Sequence, residues 1–170
     1  MMIPALCGLA TMGSVDVLRQ AGWRELDSKE ESTVFSDFSK KCSFSLQKAR
    51  RISPKGKMIT VDFTDASRGA ETSLRRLVIG LFQSTFPDSM CIAMDINHGM
   101  WSFEPRLLKL TDRFEPMPIG ILPWAEYVVL ADRDFENGIF CDPNELHIVA
   151  YGQVLTDAFR LEFANKIVIR

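Results

Sequence analysis

The stretch PWAEYVVLADRDFENGIFCDPNELHIVAYGQVLTDAF, Pro123 to Phe159, decides how this chain is read. Two short runs inside it, Tyr127 to Ala131 and Leu146 to Tyr151, are rich in β-branched and aromatic residues and bounded by turn formers, as buried strands are. They are expected to be the central strands of a sheet. Between them DRDFENGIFCDPNE is polar and interrupted by Gly138 and Pro143, which predicts an ordered loop. Beyond them, Gln153 to Ala164 takes on helical periodicity.

Working outward, Asn165 to Arg170 reads as a last edge strand, and Leu107 to Trp124 as an irregular connection broken by Pro116, Pro118, Gly120 and Pro123. Met90, Ile92, Met94 and Ile96 alternate, predicting a half-buried strand; Asn97-His98-Gly99 then makes a hairpin turn into Met100 to Phe103. Leu74, Leu77, Val78, Leu81 and Phe82 form an apolar stripe on a helix from Ala70 to Ser84, and Met58 to Phe63 alternates as a further half-buried strand. Ser28-Lys-Glu-Glu31 predicts a capping box for an amphipathic helix from Ser28 to Lys41 that presents Phe35 and Phe38. Ser14 to Ala21 predicts a short first helix, and Ser43 to Leu46 a short strand. Strands and helices mix without a strict βαβ rhythm. That implies an α+β domain with a largely antiparallel or mixed sheet and helices packed on it.

The chain has 170 residues, 46% of them hydrophobic and 25% charged, enough for one domain with a real core. One globular domain over 1–170 is expected, with 1–13 as a loose leading segment. A net charge of -2 argues against general nucleic-acid binding. Ile3 to Met12 lacks a basic flank and is far short of a membrane span, so no signal peptide or membrane anchor is read and a cytoplasmic protein is expected. Cys7, Cys42, Cys91 and Cys141 lie too far apart for a zinc or thioredoxin motif, and reduced thiols without a metal follow.

Asp132, Asp134 and Glu136 recur at every second position, which invites a calcium-loop reading. The register fails, since an EF-hand counted from Asp132 would need glycine and glutamate where Asn137 and Pro143 stand. No cofactor motif is present either. His98, beside Asp95 and ahead of Trp101, is the better placed of the two histidines for chemistry; His147 lies inside an expected strand. Lys48, Arg50, Arg51, Lys55 and Lys57 crowd one loop, which reads first as a solvated loop, since no Gly-rich cradle or interleaved aromatic accompanies it, and second as a contact for phosphate or an acidic partner.

Trp23 and Leu26, His98 with Trp101, Phe103 and Pro105, and then Pro123, Tyr127, Asp134, Phe135, Gly138, Phe140, Pro143 and Gly152 follow a recognisable order. In this the chain resembles a bacterial family of domains of unknown function, number 2716. It departs from that pattern at Ala125-Glu126, where the family has Gly-Asp, and at Cys141-Asp142-Pro143-Asn144, where it tends to Gly-His-Pro-Trp. The resemblance implies a small bacterial protein without an assigned activity. With no catalytic motif in view, the expectation is a protein-binding module, an immunity protein that occludes the active site of a cognate toxin through Asp132, Asp134, Glu136, Asp142 and Glu145. The competing expectation is a small enzyme or ligand-binding protein with a cleft around Asp95, His98 and Trp101.

Overall fold

Val128, Val129, Leu130 and Ala131 are apolar on both sides of the strand they form, and a strand of that kind needs cover on both faces. The computed structural model of the protein, which describes residues 18–45, 52–62, 70–108, 118–119 and 127–163, provides it. Seven strands make one antiparallel sheet: β1 (Trp23–Glu25), β2 (Met58–Asp62), β3 (Cys91–Asp95), β4 (Gly99–Phe103), β5 (Val128–Asp132), β6 (Gly138–Asp142) and β7 (His147–Tyr151). Their spatial order is β1-β4-β3-β5-β6-β7-β2. Helix α1 (Ser28–Lys41) covers one face through Phe38, with Cys42 and Phe44 just beyond it; α2 (Ala70–Thr85) and α3 (Gln153–Phe163) cover the other through Val78, Phe82, Leu155 and Phe159. The architecture is α+β with an antiparallel sheet, as expected.

Several local expectations change. The stretch read as a loop between the two expected central strands contains a strand, β6, which pairs with both β5 and β7; only β5 is central, and β7 stands next to the edge strand β2. Every residue of Gly138–Asp142 is buried. Likewise β3 is buried throughout rather than on alternate positions: Ile92 and Met94 face α1, while the small Cys91 and Ala93 let α2 and α3 close over the opposite side. Residues 43–45 form no strand. The α1 cap shifts by one residue, because Asp27, not Ser28, accepts hydrogen bonds from the Lys29 and Glu30 amides at 2.9 Å each, and Glu30 accepts the Asp27 amide in return. That frees Glu31 to accept the Met100 amide at 3.0 Å and so tie α1 to β4. Arg24 grips Glu30 with two hydrogen bonds of 2.9 and 3.0 Å, which holds the Glu30 carboxyl below its ordinary range.

The Asn97-His98 turn joins β3 to β4 as expected, and Leu18–Gln20 are helical where the first helix was expected. The loose segment 1–13, Cys7, Lys48 to Arg51, most of the 107–124 connection and the edge strand at 165–170 lie outside the described residues.

Gly138 lies opposite Tyr151 in the register, and the Tyr151 ring passes directly over it. A Cβ at 138 would stand 2.6 Å from the Tyr151 hydroxyl and 2.7 Å from the Leu130 carbonyl oxygen. The Tyr151 hydroxyl is buried with the Cys42 thiol as its polar neighbour, and burial pushes the phenol well above its ordinary pKa.

Cys42, Cys91 and Cys141 are free and buried. Burial pushes the Cys42 thiol up to about 11 and those of Cys91 and Cys141 up to about 12, from 9.0. The unfolded chain therefore releases these protons first as pH rises. Their contribution to stability is whole below pH 9 and is lost progressively toward 12. Unfolding midpoints should accordingly fall across that window. Alkylation with peptide mapping should leave all three thiols unmodified until the chain unfolds; labelling as fast in native buffer as in denaturant would contradict the packing.

Candidate functional site

The register separates the sheet into two ends. One carries Cys91, Phe103, Asp132, Gly138 and Tyr151; the other carries Asp95, Gly99, Val128, Asp142 and His147. The five carboxylates singled out in the sequence divide between them. Asp132, Asp134 and Glu136 sit on the β5–β6 hairpin at the first end, and Asp142 and Glu145 on the β6–β7 hairpin at the second, ~13 Å away along β6.

Their roles also divide. Asp132 is an anchor: its carboxylate accepts the Glu136 amide at 2.9 Å, the Asn137 amide at 3.1 Å and the Asn137 side-chain amide at 2.9 Å. Asp142, 6% exposed, accepts the Asn144 amide at 3.0 Å in the same manner. Asp134, Glu136 and Glu145 are exposed. The Asp-x-x-x-Glu-Asn-Gly and Asp-Pro-Asn patterns carry this turn chemistry.

The β5–β6 hairpin is braced at three further points. Phe135 adopts a left-handed φ of 55° and plugs its ring into the core 5.6 Å from Phe38, edge to face. Asn137 reaches across with its side-chain oxygen to accept the Val154 amide at 3.1 Å, capping α3 from outside the helix. Gly152, with φ 85°, lies so close that a Cβ there would stand 2.2 Å from the Glu136 carbonyl oxygen. The hairpin thus alternates residues locked inward with residues turned to water.

Two hollows flank it, and Arg133, Asp134 and Glu136 line both. The smaller, about 460 Å³, is completed by Phe86, Ser89 and Met90. The larger, a groove of about 700 Å³, is walled by the C-terminal turn of α1 with Asp37, Lys40 and Lys41, and by the strap Pro54, Lys55, Gly56 and Lys57. The Ser53 amide holds that strap to α1 by donating to the Cys42 carbonyl, and the Gly152 amide holds it to β7 by donating to the Lys57 carbonyl. The acidic hairpin and the Lys55–Lys57 end of the basic loop, separate features in the sequence, therefore face each other. Lys41 spans the gap to Glu136 at 3.4 Å, an exposed pair worth about 0–1 kcal/mol. Lys40, Lys41, Asp37 and Arg133 were not singled out in the sequence; a Lys-Lys pair ending a helix reads there only as a complement to the helix dipole.

At the opposite end Asp95 and His98 do meet, with His98 Nδ1 3.0 Å from the Asp95 carboxylate. The other Asp95 oxygen accepts the Asn97 amide, so the aspartate also shapes its own turn. Trp101, half-buried, packs its ring near Gly99 and against the core on the α2 side. Among the described residues no group of three His, Cys, Asp or Glu could hold a metal ion, and no helix is long and apolar enough to cross a membrane.

The bracing gives a paired expectation. Gly152→Ala and Gly56→Ala both place a side chain at positive φ, but only at 152 does the new Cβ strike backbone, since nothing lies within 4 Å of it at 56. Both should destabilise, by about 1 kcal/mol at 56 and by about 1–3 kcal/mol more at 152. Equal losses in denaturant titrations would contradict the packing of the hairpin on Gly152.

A relative in Bacillus subtilis (strain 168), the uncharacterized protein YxiI, is 22% identical over 147 aligned residues that cover 80% of this chain and 91% of that protein. No solved structure matches the chain significantly. The model of the family described as protein of unknown function DUF2716 matches residues 25–156, from the end of β1 into α3, and takes in the whole braced hairpin. With a match of that extent the chain belongs to the DUF2716 family.

Proposed function

We propose that the chain is a protein-binding module, an immunity protein that neutralises a cognate bacterial toxin in the cytoplasm by occluding its active site. The observation that carries this reading is the braced hairpin. Asp134 and Glu136 are exposed, yet the backbone between Asp132 and Asn137 is held by Asp132, Phe135 and Asn137. Carboxylates on a rigid loop lose little conformational entropy on binding, which is what a fixed recognition surface requires. Close charge pairs at such an interface also speed encounter and set register.

One contact favours a second reading, a small-ligand or catalytic cleft at Asp95, His98 and Trp101: the 3.0 Å approach of His98 to Asp95. It is the weaker of the two, because His98 stands largely in solvent, its side chain 61% exposed, where a general base would be poorly desolvated.

The test is affinity for the toxin encoded beside the gene. Asp134→Asn with Glu136→Gln should leave the unfolding midpoint unchanged, weaken the complex at least about tenfold and flatten its salt dependence, given about 1.5–7 kcal/mol for close interfacial charge pairs. Unchanged affinity would remove the hairpin from the contact. Retained affinity in His98→Ala, alongside that loss, would set the cleft reading aside.

A further inference from the structure

The groove beside the hairpin carries more positive than negative charge. Lys40, Lys41, Lys55, Lys57 and Arg133 line it against Asp37, Asp134 and Glu136. Two of the cations have carboxylates within reach, Lys41 at Glu136 and Lys57 at Asp157, both at 3.4 Å and both exposed. Lys40, Lys55 and Arg133 are exposed, and among the described residues no ion pair engages them. They come from three separate elements, the end of α1, the strap before β2 and the β5–β6 hairpin, all fixed to the same core.

We propose that this groove is the docking cleft for an acidic peptide segment of the protein partner, with Lys40, Lys55 and Arg133 as its anion-binding points and Asp134 and Glu136 as the opposing rim. The proposal rests on the protein-binding reading above and names the partner chemistry of that site. A polypeptide fits better than a nucleic acid for two reasons. Three carboxylates stand among the cations, so a phosphate at every step of a backbone would meet repulsion, whereas a peptide places its charges singly and offers amide donors to Asp37, Asp134 and Glu136. The chain as a whole is negative, at -2, so its net charge adds no long-range attraction for a polyanion.

The direct test uses a fluorescein-labelled peptide whose glutamates are set singly between glycines and serines, with the 170-residue chain, followed by fluorescence anisotropy as a function of salt. Binding should be measurable at low ionic strength and fade as salt rises. In the triple variant Lys40→Gln, Lys55→Gln, Arg133→Gln it should weaken at least about tenfold. The control Lys29→Gln, at the opposite end of α1, should bind as the parent does, and matching thermal unfolding curves establish that the triple variant is folded. Charge reversal at one strap position, Lys55→Glu, gives an independent arm and should also weaken binding. Equal binding by parent and triple variant, no binding at low salt, or tighter binding of a single-stranded oligothymidylate of equal charge would each overturn the proposal. Because no toxin is present in this assay, its failure is distinct from failure of the immunity reading, which the Asp134 and Glu136 variants address against the toxin itself.

Discussion

The Tyr151 ring lies over Gly138 in the paired β6 and β7, a space that a Cβ at 138 would close, and much of the molecule's useful surface depends on that packing. Because no side chain intervenes at 138, the β5–β6 hairpin begins flush against β7. The chain then turns at Gly152 so near the hairpin that the Glu136 carbonyl fills the space a Cβ would need. From there Asn137 can reach the Val154 amide in the first turn of α3, and Phe135 can reach Phe38 beneath α1. One close contact between a glycine and a tyrosine thus links the sheet to helices on both of its faces.

The sheet's interior follows from the same economy of size. Antiparallel sheets commonly leave one face to water and show it as alternation. Here Cys91 and Ala93 on β3, and Cys141 on β6, are small and apolar on the side that α2 and α3 close over. Their thiols are buried in that layer, which is why they hold their protons far above the ordinary range.

What was legible in the sequence was the α+β class, α1, α2, the two apolar strands and the β3–β4 turn, since long apolar stripes and Asn-His-Gly are strong local signals. Strand β6 was not legible. Its five residues, Gly-Ile-Phe-Cys-Asp, are framed by turn formers and begin with a glycine, a weak strand residue that makes sense only once Tyr151 is known to lie above it. The capping box slipped by one because Asp27 and Ser28 are both good caps, and only the engagement of Glu31 with β4 decides between them. At the site, the acidic residues were visible as charges, but which of them point at water depends on hydrogen bonds: Asp132 and Asp142 fold their own turns, while Asp134 and Glu136 remain available. The groove was invisible because its cations are distributed over α1, the strap and the hairpin, which only the tertiary fold brings together.

Rigidity of Asp132 to Asp142 is the claim on which the fold and the proposed recognition both rest, and native-state hydrogen exchange of the amides in that segment tests it most directly. The amides of Ile139 to Cys141 should exchange only through global unfolding, together with those of β5. The Glu136 and Asn137 amides, held by the Asp132 carboxylate, should be protected although they lie in a turn. Exchange of residues 133–142 at the rate of an open loop, while β5 stays protected, would contradict that rigidity.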